Sequence, residues 1–445
     1  MRYGVFSILF KDLLSFHCHI EDTNFLFIIT SLFYQVVYTY LSVQSSYWHT
    51  LISKQFAMYE EKETASGADG LETIIYLLQF ILSKLPGLQI NLSGSDMDDN
   101  ILPYFCTMVS DRLRAEPYLF NSYINLLTAI ANTSQVSADS VYSFIDKAPS
   151  EFVSWPIMIG CLNEAEKLIH SDTAQRGLLD HDITGFICIL DLITAVMKNS
   201  SSCRSLHTNM RSDTIQMYIK LLHEPVHVLL KSKILAVLTC FAKDNSLAMT
   251  ILGQLDYGRI LTKEKTTGIR YELESIETPA GMYPLTSHFL RLLLQLTSSC
   301  SPYTVINSPS FPSILDYVIN GVFLQYDIRN TTVFRSGEKY KIASLCVELL
   351  SVFMSIFPDV FGDKKNQNNL NNPSNQNNQM VLERLCMVIS ELLSYTDITS
   401  KVCLIDSECD YIVGEDCNHS TFTYSYWASF IPNGWFFREQ FLYRF

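Results

Sequence analysis

Residues 268–299 read GIRYELESIETPAGMYPLTSHFLRLLLQLTSS, a stretch that stops one helix, turns, and launches another. Glu272, Glu274 and Glu277 make its first half acidic. Pro279 and Gly281 are expected to break a helix there, Pro because it lacks an N–H and Gly because ordering it is entropically costly. Pro284 drives Tyr283 towards an extended backbone. Thr286 is placed to cap the next helix by accepting a bond from a free backbone N–H. Leu285 and Leu290 then flank that cap as a hydrophobic staple. Phe289, Leu292, Leu293 and Leu296 fall on one face of the new helix. The acidic half reads as a solvated turn, with a docking surface as the alternative.

The helical period continues in both directions. In residues 71–85, Leu71, Ile74, Ile75, Leu78, Ile81 and Leu82 follow the i, i+3, i+4, i+7 series, and Pro86-Gly87 ends it. A polar loop is expected at 93–100, then helices at 101–114, 118–131, 137–145 and from Ser154-Trp155-Pro156 to about His170. Asp182 is positioned to cap 183–198, where Ile183, Phe186, Ile187, Leu190, Ile193 and Met197 share a face. Residues 210–222 and 225–242 make a pair, followed by a short helix before the connector. Beyond it, helices are expected at 313–325 and 338–357. No period-2 pattern interrupts the series. Helices of this length joined by short polar turns fit an all-α fold, a superhelical α-solenoid of degenerate HEAT/ARM-like pairs. No literal repeat is present, and such pairs need only an apolar face towards each neighbour.

Composition narrows the function. Of 445 residues, 48% are hydrophobic and 17% charged, with a net charge of −13. That balance argues against binding a phosphate backbone, which draws its affinity from Lys and Arg. Twelve cysteines stand without regular spacing, as reduced and mostly buried thiols do. Residues 25–43, FLFIITSLFYQVVYTYLSV, carry no charge and are long enough for a membrane span. They are equally rich in the β-branched and aromatic residues of buried core. Residues 364–379, KKNQNNLNNPSNQNNQ, hold too little apolar surface to offset ordering and read as a disordered loop. One more helix is expected at 380–394, and the aromatic tail after Thr399 does not fit the series. The organisation expected is therefore an apolar N-terminal segment (1–62), a solenoid (63–357), a loop (358–379), a further solenoid helix (380–398) and an unassigned tail (399–445).

Three motifs invite chemical readings. His223-Glu224-Pro225-Val226-His227 is formally H-E-x-x-H, the zinc-peptidase pattern in which two His one turn apart bind metal and Glu activates water. Pro225 within that helix would clash with the carbonyl four residues back, at about 3 kcal/mol. A helix break is favoured instead, with one helix ending near Leu222 and the next starting at Pro225. Asp96-Met97-Asp98-Asp99-Asn100 begins like a calcium loop, but Ile101 and Thr107 stand where Gly and a bidentate Glu are required. Cys403, Cys409, Cys417 and His419 lack the C-x₂-C spacing of structural zinc sites. No phosphate-cradling or serine-elbow motif occurs. Catalytic, cofactor-binding and metal-ligating residues are thus expected to be none.

Four local patterns, in order, resemble one family. Tyr123 to Asn132 (YINLLTAIAN) and Ser154-Trp155 come first, then 252–261 (LGQLDYGRIL). The third is Gly268-Ile269-Arg270-Tyr271-Glu272-Leu273 with Ile276-Glu277, Tyr283-Pro284-Leu285-Thr286, Phe289 and Leu293. The fourth is Tyr317, Val322-Phe323-Leu324, Arg329 and Glu338-Lys339-Tyr340, where the family usually has Trp in place of Tyr340. Together they are similar to the large α-solenoid scaffold nucleoporins of the nuclear pore's inner ring, the nucleoporin 205/192/188 class, and most of all the 205 type.

That resemblance implies a non-enzymatic scaffold at the nuclear pore, in the nuclear envelope. It binds other inner-ring nucleoporins, both linker and coiled-coil components, and needs no cofactor, nucleic acid or small-molecule substrate. Because the family does not span membranes, the resemblance weighs against a span at 25–43. Its members are several times longer, so this chain corresponds to part of their N-terminal half. The expected alternatives are a HEAT-like karyopherin-type transport receptor or adaptor and a zinc metalloprotease at His223 and His227.

Overall fold

The computed structural model describes residues 68–92, 101–147, 152–170, 180–210, 214–258, 268–300, 308–329 and 338–356, with residues 31, 34, 35, 304 and 305 besides. The chain divides into two compact units, Met1–Asp363 and Lys364–Phe445, and everything described belongs to the first. Among the described residues there is no strand, and the fold is an all-α helical solenoid.

Fourteen helices are named here in chain order: α1 (Ala68–Ser83), α2 (Ile101–Arg112), α3 (Phe120–Thr133), α4 (Gln135–Lys147), α5 (Trp155–His170), α6 (Asp180–Asn199) and α7 (Ser201–Met210). Then come α8 (Thr214–His223), α9 (Val228–Phe241), α10 (Asn245–Gly258), α11 (Ile269–Glu272), α12 (Pro284–Ser299), α13 (Phe311–Asp316) and α14 (Glu338–Ile356). Six of them form one row in which each packs on the next, in the order α1, α3, α6, α9, α12, α14. Their first residues are 68, 120, 180, 228, 284 and 338. That near-even spacing is the repeat, longer than the roughly 40–47 residues of a HEAT or armadillo unit. The helices between row members lie against them and each other, as α8 does against α5, α9 and α10.

Side-chain ties show that the row is parallel. At the N-terminal ends, Ser122 donates to the Glu72 carboxylate at 3.1 Å, Ser232 and His288 bond at 3.1 Å, and Glu338 accepts from Tyr283 N at 2.9 Å. At the C-terminal ends, Gly87 N donates to the Thr133 carbonyl at 2.7 Å, Asn199 to the Ala131 carbonyl at 3.0 Å, and Lys243 to the Lys198 carbonyl at 3.1 Å. The last carbonyls of a helix have no partner within it, so donors from the next helix satisfy them. Parallel neighbours require every intervening segment to run back, which is the solenoid's geometry.

The core lies along the row. Ile75, Leu78, Tyr123, Leu127, Leu190, Ile193, Leu235, Leu238, Phe289 and Leu293 are all buried. Each such side chain contributes roughly 1.5–3 kcal/mol relative to its exposed form. In the second half of α6 the buried arc is wide, taking in Leu190, Leu192, Ile193, Ala195, Val196 and Met197. A row helix has neighbours on two sides and a covering layer, so a single apolar face does not suffice.

Several local expectations are corrected. Helix α6 begins at Asp180, so Asp182 sits inside its first turn rather than at its cap. Helix α7 is polar and follows α6 after one residue, without the apolar period that would announce it. The short helix before the connector is the 14-residue α10. The segment expected as a helix over 313–325 begins as α13 and changes to a π-helical stretch, Tyr317–Val322, and a 3₁₀ stretch, Phe323–Ile328. The expected loop at 93–100, the Asn/Gln-rich stretch at 364–379, the helix at 380–394 and the tail after Thr399 lie outside the described residues. So do residues 25–43, apart from Ser31, Tyr34 and Gln35. Among the described residues, no helix is long and apolar enough to cross a membrane.

Candidate functional site

The acidic connector is solvated on one side only: Glu274, Ser275 and Ile276 are exposed, whereas Glu272 and Glu277 are buried in a joint between helices. Helix α11 runs through a π-helical stretch, Leu273–Glu277, into a last helical turn, Thr278–Ala280. Pro279 therefore does not break the helix. The preceding turn is widened, with Thr278 N reaching back to the Leu273 carbonyl, and Pro279 takes an early position in the next turn, where its missing N–H costs little. The break comes at Gly281, whose φ of +66° lies in the left-handed region that glycine enters without steric cost.

Four row or neighbouring helices converge on this connector. Lys231 of α9 places Nζ 2.5 Å from Glu272 Oε1, with both side chains buried. Burial pushes the Glu272 carboxyl above the usual carboxylate range, and Lys231 pulls against that shift. Glu277, 1% exposed, caps α12 from outside the helix. It accepts from Leu285 N at 2.6 Å, Thr286 N at 3.2 Å and Thr286 Oγ1 at 2.5 Å. Helix α12 starts at Pro284, which has no N–H, so these are the first backbone donors lacking a partner. Thr286 is thus two residues inside the helix, donating to Glu277 instead of capping, and Leu285 is helical too. The expected cap and staple are displaced because the Glu277 carboxyl takes both free donors. Burial pushes the Glu277 carboxyl up to about 7, opposed by these hydrogen bonds.

The third and fourth contacts come from α13 with its extension and from α14, whose Glu338 accepts from Tyr283 N at 2.9 Å. Arg329 is buried, and its two terminal nitrogens grip both Glu274 oxygens at 3.1 and 3.0 Å, Thr278 Oγ1 at 2.6 Å and the Gly321 carbonyl. Gly321 lies in the π-helical stretch of that segment, where the regular bonding pattern is interrupted. Arg270 pairs with Asp316 at 2.6 Å. Tyr317 OH bonds Thr286 Oγ1 at 3.1 Å, and its ring meets Phe289 edge-on with centroids 5.6 Å apart. These carboxylates are occupied with holding helix ends and cations, so the arrangement is a mechanical joint between successive row members.

The family model for the nuclear pore complex scaffold, nucleoporins 186/192/205 (Nup192), matches residues 25–405. The chain belongs to this family. It is a component of the nuclear pore complex at the nuclear envelope. Human nuclear pore complex protein Nup205 is 25% identical over 280 residues, covering 56% of this chain and 14% of the relative. The chain thus spans about one-seventh of the length of the curated relative it matches. The family match takes in residues 25–43 and runs past Thr399, further in both directions than the four sequence patterns reach.

The H-E-x-x-H residues of this scaffold chain do not share a helical turn. His223 ends α8, and His227 is the N-cap of α9, its Nδ1 accepting from Leu229 N at 3.2 Å. The second helix therefore starts at Val228, three residues later than Pro225, because the imidazole supplies the cap. Among the described residues, no group of three or more His, Cys, Asp or Glu is arranged to hold a metal ion. Residues 96–100, Cys403, Cys409, Cys417 and His419 lie outside the described residues. Cys106, Cys188, Cys203, Cys240, Cys300 and Cys346 are buried thiols outside any disulfide, whereas the Cys161 thiol is exposed. Sequence reasoning missed Lys231, and it singled out Glu277 without its burial or its capping role. The available signal was a lone pair of lysines in the otherwise apolar α9, VLLKSKILAVLTCF.

Proposed function

We propose that this chain is a non-enzymatic structural segment of the pore's inner ring. Its stacked helices present surfaces to other nucleoporins, linker and coiled-coil components, and through them support pore assembly and the transport of protein and mRNA. The observation that carries this reading is the parallel six-helix row with its buried cross-ties, set in a chain of the scaffold family. A solenoid so tied offers an extended, pre-organised surface, and docking to it loses little entropy on the scaffold's side. On this reading 63–357 is the solenoid body and 380–398 a further helix of it. Residues 25–43 belong to the scaffold rather than to a membrane span, since the family match runs through them.

Live imaging of the tagged full chain tests the proposal. A stable nuclear-rim signal with slow exchange, and co-purification of inner-ring nucleoporins, is the expected result. Rapid shuttling between nucleus and cytoplasm with binding to a small GTPase would instead identify a karyopherin-type receptor. Release of the chain by alkaline carbonate is expected, and retention in the membrane pellet would restore the span.

A further inference from the structure

Glu277, Thr286 and Tyr317 form a hydrogen-bonded chain across the joint, and each is at most 1% exposed. Glu277 Oε2 lies 2.5 Å from Thr286 Oγ1, which lies 3.1 Å from Tyr317 OH. An ionised carboxylate only accepts, so Thr286 then donates to Glu277 and accepts from Tyr317. A protonated carboxyl instead donates its O–H to Thr286, whose own proton turns towards Tyr317. The chain accommodates both states by reversing direction.

The charges around Glu277 decide between them. On the connector are Glu272 and Glu274, on α9 Lys231, and at the start of α12 Tyr283. From α13 and its extension come Tyr317 and Arg329, and from α14 Glu338 and Cys346. Lys231 is taken by Glu272, and Arg329 by Glu274, Thr278 and the Gly321 carbonyl. Among the described residues no lysine or arginine forms an ion pair with Glu277. Its negative form would be a buried charge stabilised by three neutral donors and opposed by Glu272.

We infer that Glu277 is a proton-controlled latch, locking the connector to α12 and α13 when protonated and loosening that joint when ionised. The push of its carboxyl to about 7 puts the change near neutral pH. A carboxyl raised in the folded state contributes stability that is full below the unfolded value and is lost as pH rises through about 7.

Two measurements on the full chain test the latch. Hydrogen exchange in the first turn of α12, corrected for intrinsic rates, should be roughly tenfold faster at pH 8 than at pH 6 in wild type and unchanged in Glu277→Gln. Infrared difference spectra of wild type against Glu277→Gln should show a protonated-carboxyl stretch at pH 6 that disappears by pH 8. Tyr317→Phe keeps the ring but removes the donor to Thr286, so it should shift the midpoint of that band upward. A carboxylate already ionised at pH 6, equal pH dependence in Glu277→Gln, or an unmoved midpoint in Tyr317→Phe would each overturn the inference.

Discussion

Lys231 and Glu272 are joined across the interior of the stack, Nζ to Oε1 at 2.5 Å, one from the first turn of a row helix and the other from the connector of the following repeat. Replacing Lys231 by Met leaves Glu272 buried with no cation. The expected loss is on the order of 3–5 kcal/mol, because a lone buried charge keeps its desolvation cost. The double variant Lys231→Met/Glu272→Leu should recover most of it. Urea denaturation of the full chain measures both, and a single variant within about 1 kcal/mol of wild type would show that the pair contributes little to the fold.

Arg329 holds four oxygens with two terminal nitrogens. A lysine cannot reproduce that planar fork. Arg329→Lys should therefore cost about 2 kcal/mol, even though Glu274 itself is 52% exposed on its side chain, since the Thr278 and Gly321 contacts are also lost. Faster amide exchange confined to Tyr317–Val322 and Leu273–Glu277 is the accompanying signature. Uniform loosening of distant α3 would contradict a local role.

Helix α10 is capped by Asp244, whose Oδ1 accepts from Ser246 Oγ at 2.7 Å, Ser246 N at 2.9 Å and Leu247 N at 3.4 Å. The Ser246 hydroxyl above all holds this carboxyl below its usual range. A lowered carboxyl contributes stability that is present above the unfolded value and lost as pH falls through the folded one. Asp244→Ala should cost about 1 kcal/mol at neutral pH and much less under strongly acidic conditions. Thermal melts of both proteins across that range check it, and an equal penalty at both extremes would refute the ionic part of the cap.

His227 caps α9 with a neutral nitrogen. Aspartate there would accept the same Leu229 N–H and add a negative charge at the helix N-terminus. His227→Asp should stabilise the full chain by roughly 0.5–1 kcal/mol. A structural metal held at this position would give the opposite sign, with loss of stability and of bound zinc in calorimetric titration.

Legibility differed along the chain for physical reasons. The apolar period of 71–85 announced α1, and Pro86-Gly87 its end, because both signals are local. The break in the H-E-x-x-H segment was legible from Pro225 alone, though not that His227 would be the cap, which depends on a side-chain rotamer. Helix α7 was illegible, since its polar sequence lacks an apolar period and one of its packing partners, α4, lies well upstream in the chain. The joint was read in the wrong solvent. Glu272 and Glu277 look solvated in the sequence until the fold brings Lys231, Leu285 and Thr286 to meet them, while Glu274 does stay half exposed.

The sequence by itself determined most of the helices, their apolar faces, the turn at Gly281 and the family pattern of the connector, because each rests on residues within a few positions of one another. Only the tertiary structure decided that six helices run parallel in one row and that Glu272 and Glu277 lie inside it. Those outcomes depend on partners distant in sequence, 8 positions from Glu277 to Leu285, 41 from Lys231 to Glu272 and 50 from Glu72 to Ser122. A carboxylate's environment is set by which distant donors the fold delivers to it, and no local spacing records that.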